Sequence, residues 1–243
     1  VNITVITNAT GNVTIRIGDE YEKTVGVTDG VISVIVPGLT AGDKTVNVTY
    51  NGDDRFLPSE NSTTFTVSKV ETGDLKVIDQ GNGTVVVVVP DNATGTVEIK
   101  VGNNTYNATV KDGIATIDLV NETPGVHELE VTYSGDENHT AANTTGNATI
   151  PKLETPIDVT VENIKVGDKE TVVVSVPENA TGNVTIDIDG VKYTEEIKDG
   201  RATFEIENLT YGNKTVCVDY AGDDNYIGNH TSANFTVDKR ESS

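Results

Sequence analysis

Pairs of acidic residues stand at three corresponding places in the chain and are its first candidates for chemistry. They follow a glycine in Gly52-Asp53-Asp54, Gly135-Asp136-Glu137 and Gly222-Asp223-Asp224. Carboxylates are ligands that Ca²⁺ prefers, but the ion needs about six to eight oxygens. Asp after Gly is also ordinary turn chemistry. We expect no cofactor, and calcium is the minor alternative, with weak candidate ligands at Asp53, Asp54, Asp136, Glu137, Asp223 and Asp224.

Catalysis needs reactive groups gathered in one cleft, and the sequence pattern does not indicate one. His127, His139 and His230 fall at three different positions of the repeats described below, so they do not suggest a zinc or catalytic site. No copy has a long inserted loop that would enclose a cleft around carboxylates. A Lys–Asn isopeptide bond would need a lysine at an inward-facing position. We expect no lysine to recur at such a position in the copies. We predict that the chain is not an enzyme.

Asparagine supplies the most frequent motif. Nineteen of the 23 asparagines begin an Asn-X-Ser/Thr triplet, the acceptor for N-glycosylation, where the Ser and Thr content gives about four by chance. Polar alternation along strands explains part of the excess, but not the triplets in predicted turns. We predict a glycosylated surface protein with candidate sites at Asn2, Asn8, Asn12, Asn47, Asn61, Asn82, Asn92, Asn103, Asn107, Asn121, Asn138, Asn143, Asn147, Asn179, Asn183, Asn208, Asn213, Asn229 and Asn234.

The elements that position these residues belong to a sequence that occurs three times. The motif Asn-Ala-Thr-Gly, followed by an alternating apolar pattern, occupies residues 8–15, 92–99 and 179–186. The separations of 84 and 87 residues suit a whole small domain rather than a solenoid repeat. We predict three domains, at residues 1–69, 70–152 and 153–243.

The third copy shows the strand pattern most completely. Apolar residues alternate with polar ones in short runs, and no run has the 3.6-residue period of a helix. Asp189-Gly190 and Asp199-Gly200 are hairpin-turn signals. Tyr50, Tyr133 and Tyr220 recur at one place, where we expect the ring to pack in the core. We predict an all-β protein of tandem immunoglobulin-like β-sandwiches, with about seven antiparallel strands each, arranged as a beads-on-a-string rod.

The first copy is predicted to lack its first strand. Aligned on the shared motif, Val1 corresponds to Val172, so nothing corresponds to the third copy's run Ile157–Val161. The apolar residues Val1, Ile3 and Val5 would then lie beside an open edge. Two explanations stand: the sequence is a window of a longer array, or it is a subunit that receives a strand from a neighbour. The expected partners are accordingly neighbouring repeats or neighbouring subunits.

Composition limits which binding partners and which covalent cross-links the chain can have. A net charge of −21 makes nucleic acid a poor partner, because phosphate binding needs clustered Lys and Arg. No apolar run is long enough to span a bilayer, so we expect no membrane insertion in this segment. The lone Cys217 excludes an intramolecular disulfide and falls at a predicted outward strand position.

The third copy also resembles a known family. The run from Pro177 to Thr185, the turn Asp199-Gly200 and the run from Tyr220 to Tyr226 resemble the bacterial-type Ig-like repeats of adhesin-like cell-surface proteins from methanogenic archaea. The resemblance covers nearly the whole chain, copy by copy. It implies an extracellular, cell-surface location. The first and second copies depart from it, with Arg55-Phe56 and Asn138-His139 at the position of Asn225-Tyr226, so the resemblance does not imply a shared binding site there.

Three functional hypotheses follow, all without catalysis. The first is a structural and adhesive stalk of a glycosylated archaeal cell-surface adhesin or fibre. The second is a module that binds Ca²⁺ or carbohydrate, with other cell surfaces as partners. The third is a subunit of an extracellular filament assembled by strand exchange.

Overall fold

A computed structural model describes residues 1–241, and every regular element in this range is a β-strand. Ser242 and Ser243, the last residues of the predicted third domain, lie outside it. Within the described range, no helix has the length and apolar character needed to cross a membrane. The prediction of an all-β fold is confirmed.

Residues 1–67 form two sheets. Their strands are β1 (Asn2–Thr4), β2 (Asn12–Ile17), β3 (Tyr21–Gly26), β4 (Val31–Ser33), β5 (Gly42–Tyr50) and β6 (Ser59–Val67). One sheet has the order β3-β2-β5-β6, and β1 pairs with β4 in the other. In the described part of the chain, β1 pairs with β4 alone, and the absence of a first strand from this copy stays a prediction.

The middle copy also forms two sheets. Its strands are β7 (Lys76–Asp79), β8 (Thr84–Val88), β9 (Thr96–Val101), β10 (Asn104–Thr109), β11 (Ile114–Asp118), β12 (Gly125–Tyr133) and β13 (Ala142–Ile150). The sheet orders are β10-β9-β12-β13 and β11-β8-β7. Here the strand that follows the junction, β7, lies beside β8, which corresponds to β1.

The third copy contains one more strand than the pattern predicts. Its strands are β14 (Asp158–Thr160), β15 (Ile164–Lys165), β16 (Glu170–Ser175), β17 (Asn183–Ile188), β18 (Val191–Glu196), β19 (Arg201–Ile206), β20 (Gly212–Gly222) and β21 (Ile227–Asp238). The sheet orders are β14-β16-β19 and β15-β21-β20-β17-β18. The first segment changes sheets, because β14 runs antiparallel to β16 and β15 runs parallel to β21. The two-residue β15 is too short to show alternation.

Chain contacts divide the protein into two compact units. Unit 1 comprises Val1–Ile78, Val85–Asp118 and Glu128–Gly146. Unit 2 comprises Asp79–Thr84, Leu119–His127 and the described chain from Asn147 onwards. This division passes through the middle copy, so the boundaries at residues 1–69, 70–152 and 153–243 stay a prediction.

Alternation along the strands places apolar side chains between paired sheets. In β17, Val184, Ile186 and Ile188 are buried, and the residues between them are more exposed. The backbone of Asp189 (φ 55°) and Gly190 (φ 81°) is left-handed, as a two-residue hairpin turn of type I′ requires. The predicted hairpin and the immunoglobulin-like β-sandwich architecture are confirmed.

Candidate functional site

Asp223, the first acid after Gly222, accepts four hydrogen bonds within unit 2. Its Oδ1 accepts the main-chain N–H groups of Asn225 and Tyr226, both at 2.8 Å. Its Oδ2 accepts the N–H of Thr181 at 2.7 Å and the hydroxyl of the same residue at 2.9 Å. The carboxylate therefore joins the turn after β20 to the Asn-Ala-Thr-Gly motif before β17.

The same arrangement occurs in the other two copies. Asp53 Oδ2 accepts the N–H of Thr10 at 2.7 Å, and Asp136 Oδ2 accepts the N–H of Thr94 at 2.6 Å. Each aspartate also accepts two N–H groups from its own turn. We call the pairs Thr10–Asp53, Thr94–Asp136 and Thr181–Asp223 the acid latches. The two recurring motifs, Asn-Ala-Thr-Gly and the acidic turn, are thus hydrogen-bonded to each other in every copy.

A buried tyrosine completes each latch. The hydroxyls of Tyr50, Tyr133 and Tyr220 donate to the main-chain oxygen of the latch threonine at 2.8, 2.6 and 3.0 Å. All three rings are buried in the core. Burial raises the pKa of Tyr220 to about 12, and the nearby Asp223 carboxylate adds to this shift. The prediction of core packing for these tyrosines is confirmed.

In the second copy, glycine allows the two latch segments to approach closely. Gly95 has a left-handed backbone (φ 94°), and a Cβ there would lie 2.5 Å from the main-chain oxygen of Gly135. Gly135 is also left-handed, and a Cβ there would lie 2.8 Å from the main-chain oxygen of His139. A side chain at Gly95 would therefore force the motif and the turn of the second copy apart, and a side chain at Gly135 would distort the turn itself.

The latch carboxylates are stabilised in their charged form. Burial alone would raise the pKa of Asp223 and of Asp136, but the N–H donors of the latch outweigh it and hold both pKa values well below the usual range. The pKa of Asp53 is lowered mainly by the N–H of Thr10. A carboxylate that accepts several N–H bonds loses them in part when it is protonated. We infer that all three are ionised at neutral pH.

The acids predicted as weak calcium ligands fall into two classes. The first acid of each pair uses its oxygens in the latch. The second, at Asp54, Glu137 and Asp224, is exposed. Among residues 1–241, no group of three or more His, Cys, Asp or Glu side chains is placed to hold a metal ion. The latch accounts for the acidic turn as structural chemistry, and calcium at this turn stays an untested prediction.

His139 adds a contact to the latch of the second copy. Its side chain is buried, and its Nδ1 lies 2.9 Å from Asp136 Oδ1. Phe56 and Tyr226 hold the corresponding position in the other copies and are partly buried. The sequence differences at this turn therefore change the packed side chain and leave the latch intact.

The expectation that no lysine recurs at an inward-facing position is wrong. Lys44 and Lys214 hold the same position in β5 and β20, and Lys214 is only 6% exposed. Lys214 Nζ lies 2.5 Å from Asp189 Oδ2 and 2.8 Å from Thr210 Oγ1. The apolar stem of a lysine can lie in a core while its amine reaches an acid at the surface, and alternation alone does not reveal this.

The predicted glycosylation sites are accessible with one exception. Every asparagine predicted as an acceptor is exposed except Asn138, which is partly buried. The Oδ1 of Asn138 accepts the main-chain N–H of Ala41 at 2.9 Å within unit 1. Asn8 and Asn121 lie in turns with left-handed backbone, at φ 67° and 68°. Exposure is therefore compatible with glycans at the other candidate positions, but the Nδ2 of Asn229, the atom that would carry the sugar, donates to Thr155 O at 2.7 Å.

Cys217 is exposed on β20, as predicted. It lies opposite Asp187 of β17 and Ser232 of β21. Its thiol therefore faces away from the core.

The segment between copies pairs with the latch turn of the copy that follows it. In unit 2, the N–H of Leu153 donates to Asn225 O at 2.8 Å, and the N–H of Ile227 donates to Leu153 O at 2.9 Å. In unit 1, the N–H of Thr140 donates to Val70 O at 3.0 Å. Each junction is thus held to the copy that follows it by an isolated β-bridge and is not a free linker.

Both latch motifs recur in the sequence, but neither motif alone shows that its threonine or its aspartate has a partner in the other. Thr10, Thr94 and Thr181 precede their aspartates by 43, 42 and 42 residues. The number of residues between the two motifs is nearly the same in all three copies. This constant spacing is the signal that could have linked them, because two segments that are in contact in every copy tend to keep the same separation.

Comparison with known proteins supports the fold of the third copy. A family model described as "Bacterial Ig-like domain (group 3)" matches residues 157–238, which span β14 to β21. No curated protein sequence matches the chain.

Solved structures that match the chain include fibronectin(III)-like modules of CbhA from Clostridium thermocellum. This match has 15% identity and a TM-score of 0.29, and it covers 71% of this chain and 90% of that one. The FN1–FN3 domains of chicken CNTN1 match at 12% identity, with coverage of 95% and 89% and a TM-score of 0.28. A 1.5-MDa bacterial ice-binding adhesin matches at 16% identity, with coverage of 97% and 87% and a TM-score of 0.31. Residues 157–238, in the third copy, are similar to a bacterial Ig-like domain.

Proposed function

We propose that this chain is a non-catalytic structural segment of an extracellular glycoprotein, serving as a tandem Ig-like stalk of an archaeal cell-surface adhesin or fibre. The observation that carries the proposal is the placement of the acceptor asparagines, which are exposed in both units with the exception of Asn138. The acid latches support it, because they assign the recurring acids to holding each copy together. The archaeal origin rests on the resemblance of residues 177–226 described above.

The acidic outward face suits this role. A net charge of −21 keeps neighbouring molecules apart and soluble, and glycans on exposed strands hinder edge-to-edge association. The junction segments are hydrogen-bonded to the copies that follow them and are therefore not free linkers. These are properties of a spacer that holds a distal part away from the cell.

Site-resolved glycopeptide mapping of the protein from its native cells tests this proposal. We expect sugar on exposed acceptors in turns, such as Asn8 and Asn121, and none on Asn138, which is partly buried and whose Oδ1 is fixed by the N–H of Ala41. The same chain made in a bacterial cytoplasm without N-glycosylation is the control for chemical artefacts. A native chain that carries no glycan on any acceptor would overturn the proposal.

A further inference from the structure

Glu170, the first residue of β16, is a buried acidic residue, with 1% of its surface exposed. Its Oε1 accepts the main-chain N–H of Glu162 at 2.9 Å. Its Oε2 is buried and has no hydrogen-bond partner in the described chain. Buried polar atoms are nearly always hydrogen-bonded, because an unpaired one is costly. The unpaired oxygen of Glu170 therefore lowers the stability of the third copy.

Glu170 contacts the strand crossing, residues 161–163, where the first segment of the third copy passes from β14 in one sheet to β15 in the other. On the side of β21, the N–H of Thr236 donates to Asn163 Oδ1 at 2.8 Å. Beyond the crossing, β15 pairs with β21 over two residues, and the charged residue of β21 at this place, Asp238, is exposed. A short segment with few ladder bonds is where a domain opens locally.

The side chains around Glu170 offer its carboxyl group no counter-ion within the described chain. Opposite it on β19 is the apolar Ile206. The adjacent Lys169 directs its Nζ to Glu205 Oε2 at 2.7 Å, and both of these side chains are exposed. On the crossing, Glu162 contributes an N–H donor but also a negative charge. An ionised Glu170 would therefore be a buried charge without compensation, which is unfavourable.

Burial raises the pKa of Glu170 above its usual value of 4.5. The N–H of Glu162 opposes this shift in part, and the charge of Glu162 adds to it. At pH values between the usual and the raised pKa, a state that exposes Glu170 to water loses the proton, while the closed copy keeps it. Opening therefore becomes more favourable as the pH rises through this window, and the effect is complete above the raised pKa.

We propose that Glu170 is a proton-controlled switch for the strand crossing of the third copy. With its proton in place, the carboxyl group is neutral and the crossing stays closed over it. Loss of the proton favours a locally open state, in which the carboxylate reaches water while the rest of the sandwich stays folded. The second copy has Gly83 at the corresponding position and therefore has no such switch. The proposal does not depend on the extracellular role proposed above.

Hydrogen exchange of the full 243-residue chain, followed by mass spectrometry from pH 4 to pH 8, tests this switch. Rates are divided at each pH by those of an unstructured peptide of the same sequence, which removes the chemical pH dependence. The neutral variant Glu170→Gln keeps an oxygen that can accept the N–H of Glu162. Relative to this variant, protection of residues 160–169 in the natural chain should fall at least about threefold as the pH rises. A ratio between the two chains that does not change with pH would overturn the proposal.

Two further variants make the result specific to Glu170. Glu170→Leu is a second neutral side chain, and it replaces Glu170→Gln in the comparison if protection of β17 and β20 shows that the first variant does not fold. Glu207→Gln removes a charge from an exposed neighbour and should keep the pH dependence of the natural chain. Residues 76–83 of the second copy should exchange alike in all of these chains. If Glu207→Gln also abolishes the pH dependence, net charge controls the crossing and the inference fails.

Discussion

Asp223→Asn is expected to destabilise the third copy by about 2 kcal/mol. The NH₂ group that replaces Oδ2 cannot accept the N–H of Thr181. Two hydrogen-bond donors would then face each other. The loss also loosens the turn that receives Leu153. Hydrogen exchange of the full chain, followed by mass spectrometry, should show protection of β17 and β20 amides falling about 30-fold if opening tracks stability.

Asp224→Asn is the matched control for this change. It removes the same charge from the neighbouring residue, which is exposed and lies outside the latch. We expect exchange in β17 and β20 to stay within about twofold of the unmodified chain, since surface substitutions usually have small effects. Equal loss of protection in both variants would mean that net charge, and not the latch, stabilises the turn.

Acid should weaken the three latches together. The pKa values of Asp53, Asp136 and Asp223 are lowered in the folded chain, so the unfolded chain binds protons first as the pH falls. The latch contribution is therefore complete above the unfolded pKa of about 4 and is lost progressively below it. Burial raises the pKa of Glu170, so protonation of Glu170 at low pH favours the folded chain. This single group opposes the three latch aspartates.

Comparison of the natural chain with the variant Asp53→Asn, Asp136→Asn, Asp223→Asn isolates this effect. At low pH both chains lose charge repulsion to nearly the same extent. This effect therefore largely cancels when the denaturant midpoint of one chain is subtracted from that of the other. We expect a large difference at pH 7 that narrows steadily below about pH 4. A difference that stays constant from pH 7 to pH 2 would show that the aspartates do not stabilise the fold through their charged form.

The strands could be predicted from sequence because alternation is a local property. In β17 and β19 the apolar residues that alternate in sequence are those buried in the structure. The left-handed turns at Asp189 and Asp199 follow equally from the two residues that form them. These features need no knowledge of distant parts of the chain.

Features that join distant segments could not be predicted from local alternation or from turn residues. The bond between Thr181 and Asp223 spans 42 residues, and nothing in either motif alone shows that they meet. The inward position of Lys214 was missed because its partner Asp189 lies in a separate hairpin. The crossing of the first segment from one sheet to the other depends on β15, whose two residues are too few to form a pattern.

Surface labelling of Cys217 on intact native cells tests the central claim most directly. The thiol is exposed on β20, so a membrane-impermeant maleimide should modify the peptide that contains it before the cells are lysed. Labelling of intact cells, at a level that lysis does not increase, is the result expected for an extracellular segment. Modification that occurs only after lysis would contradict the account.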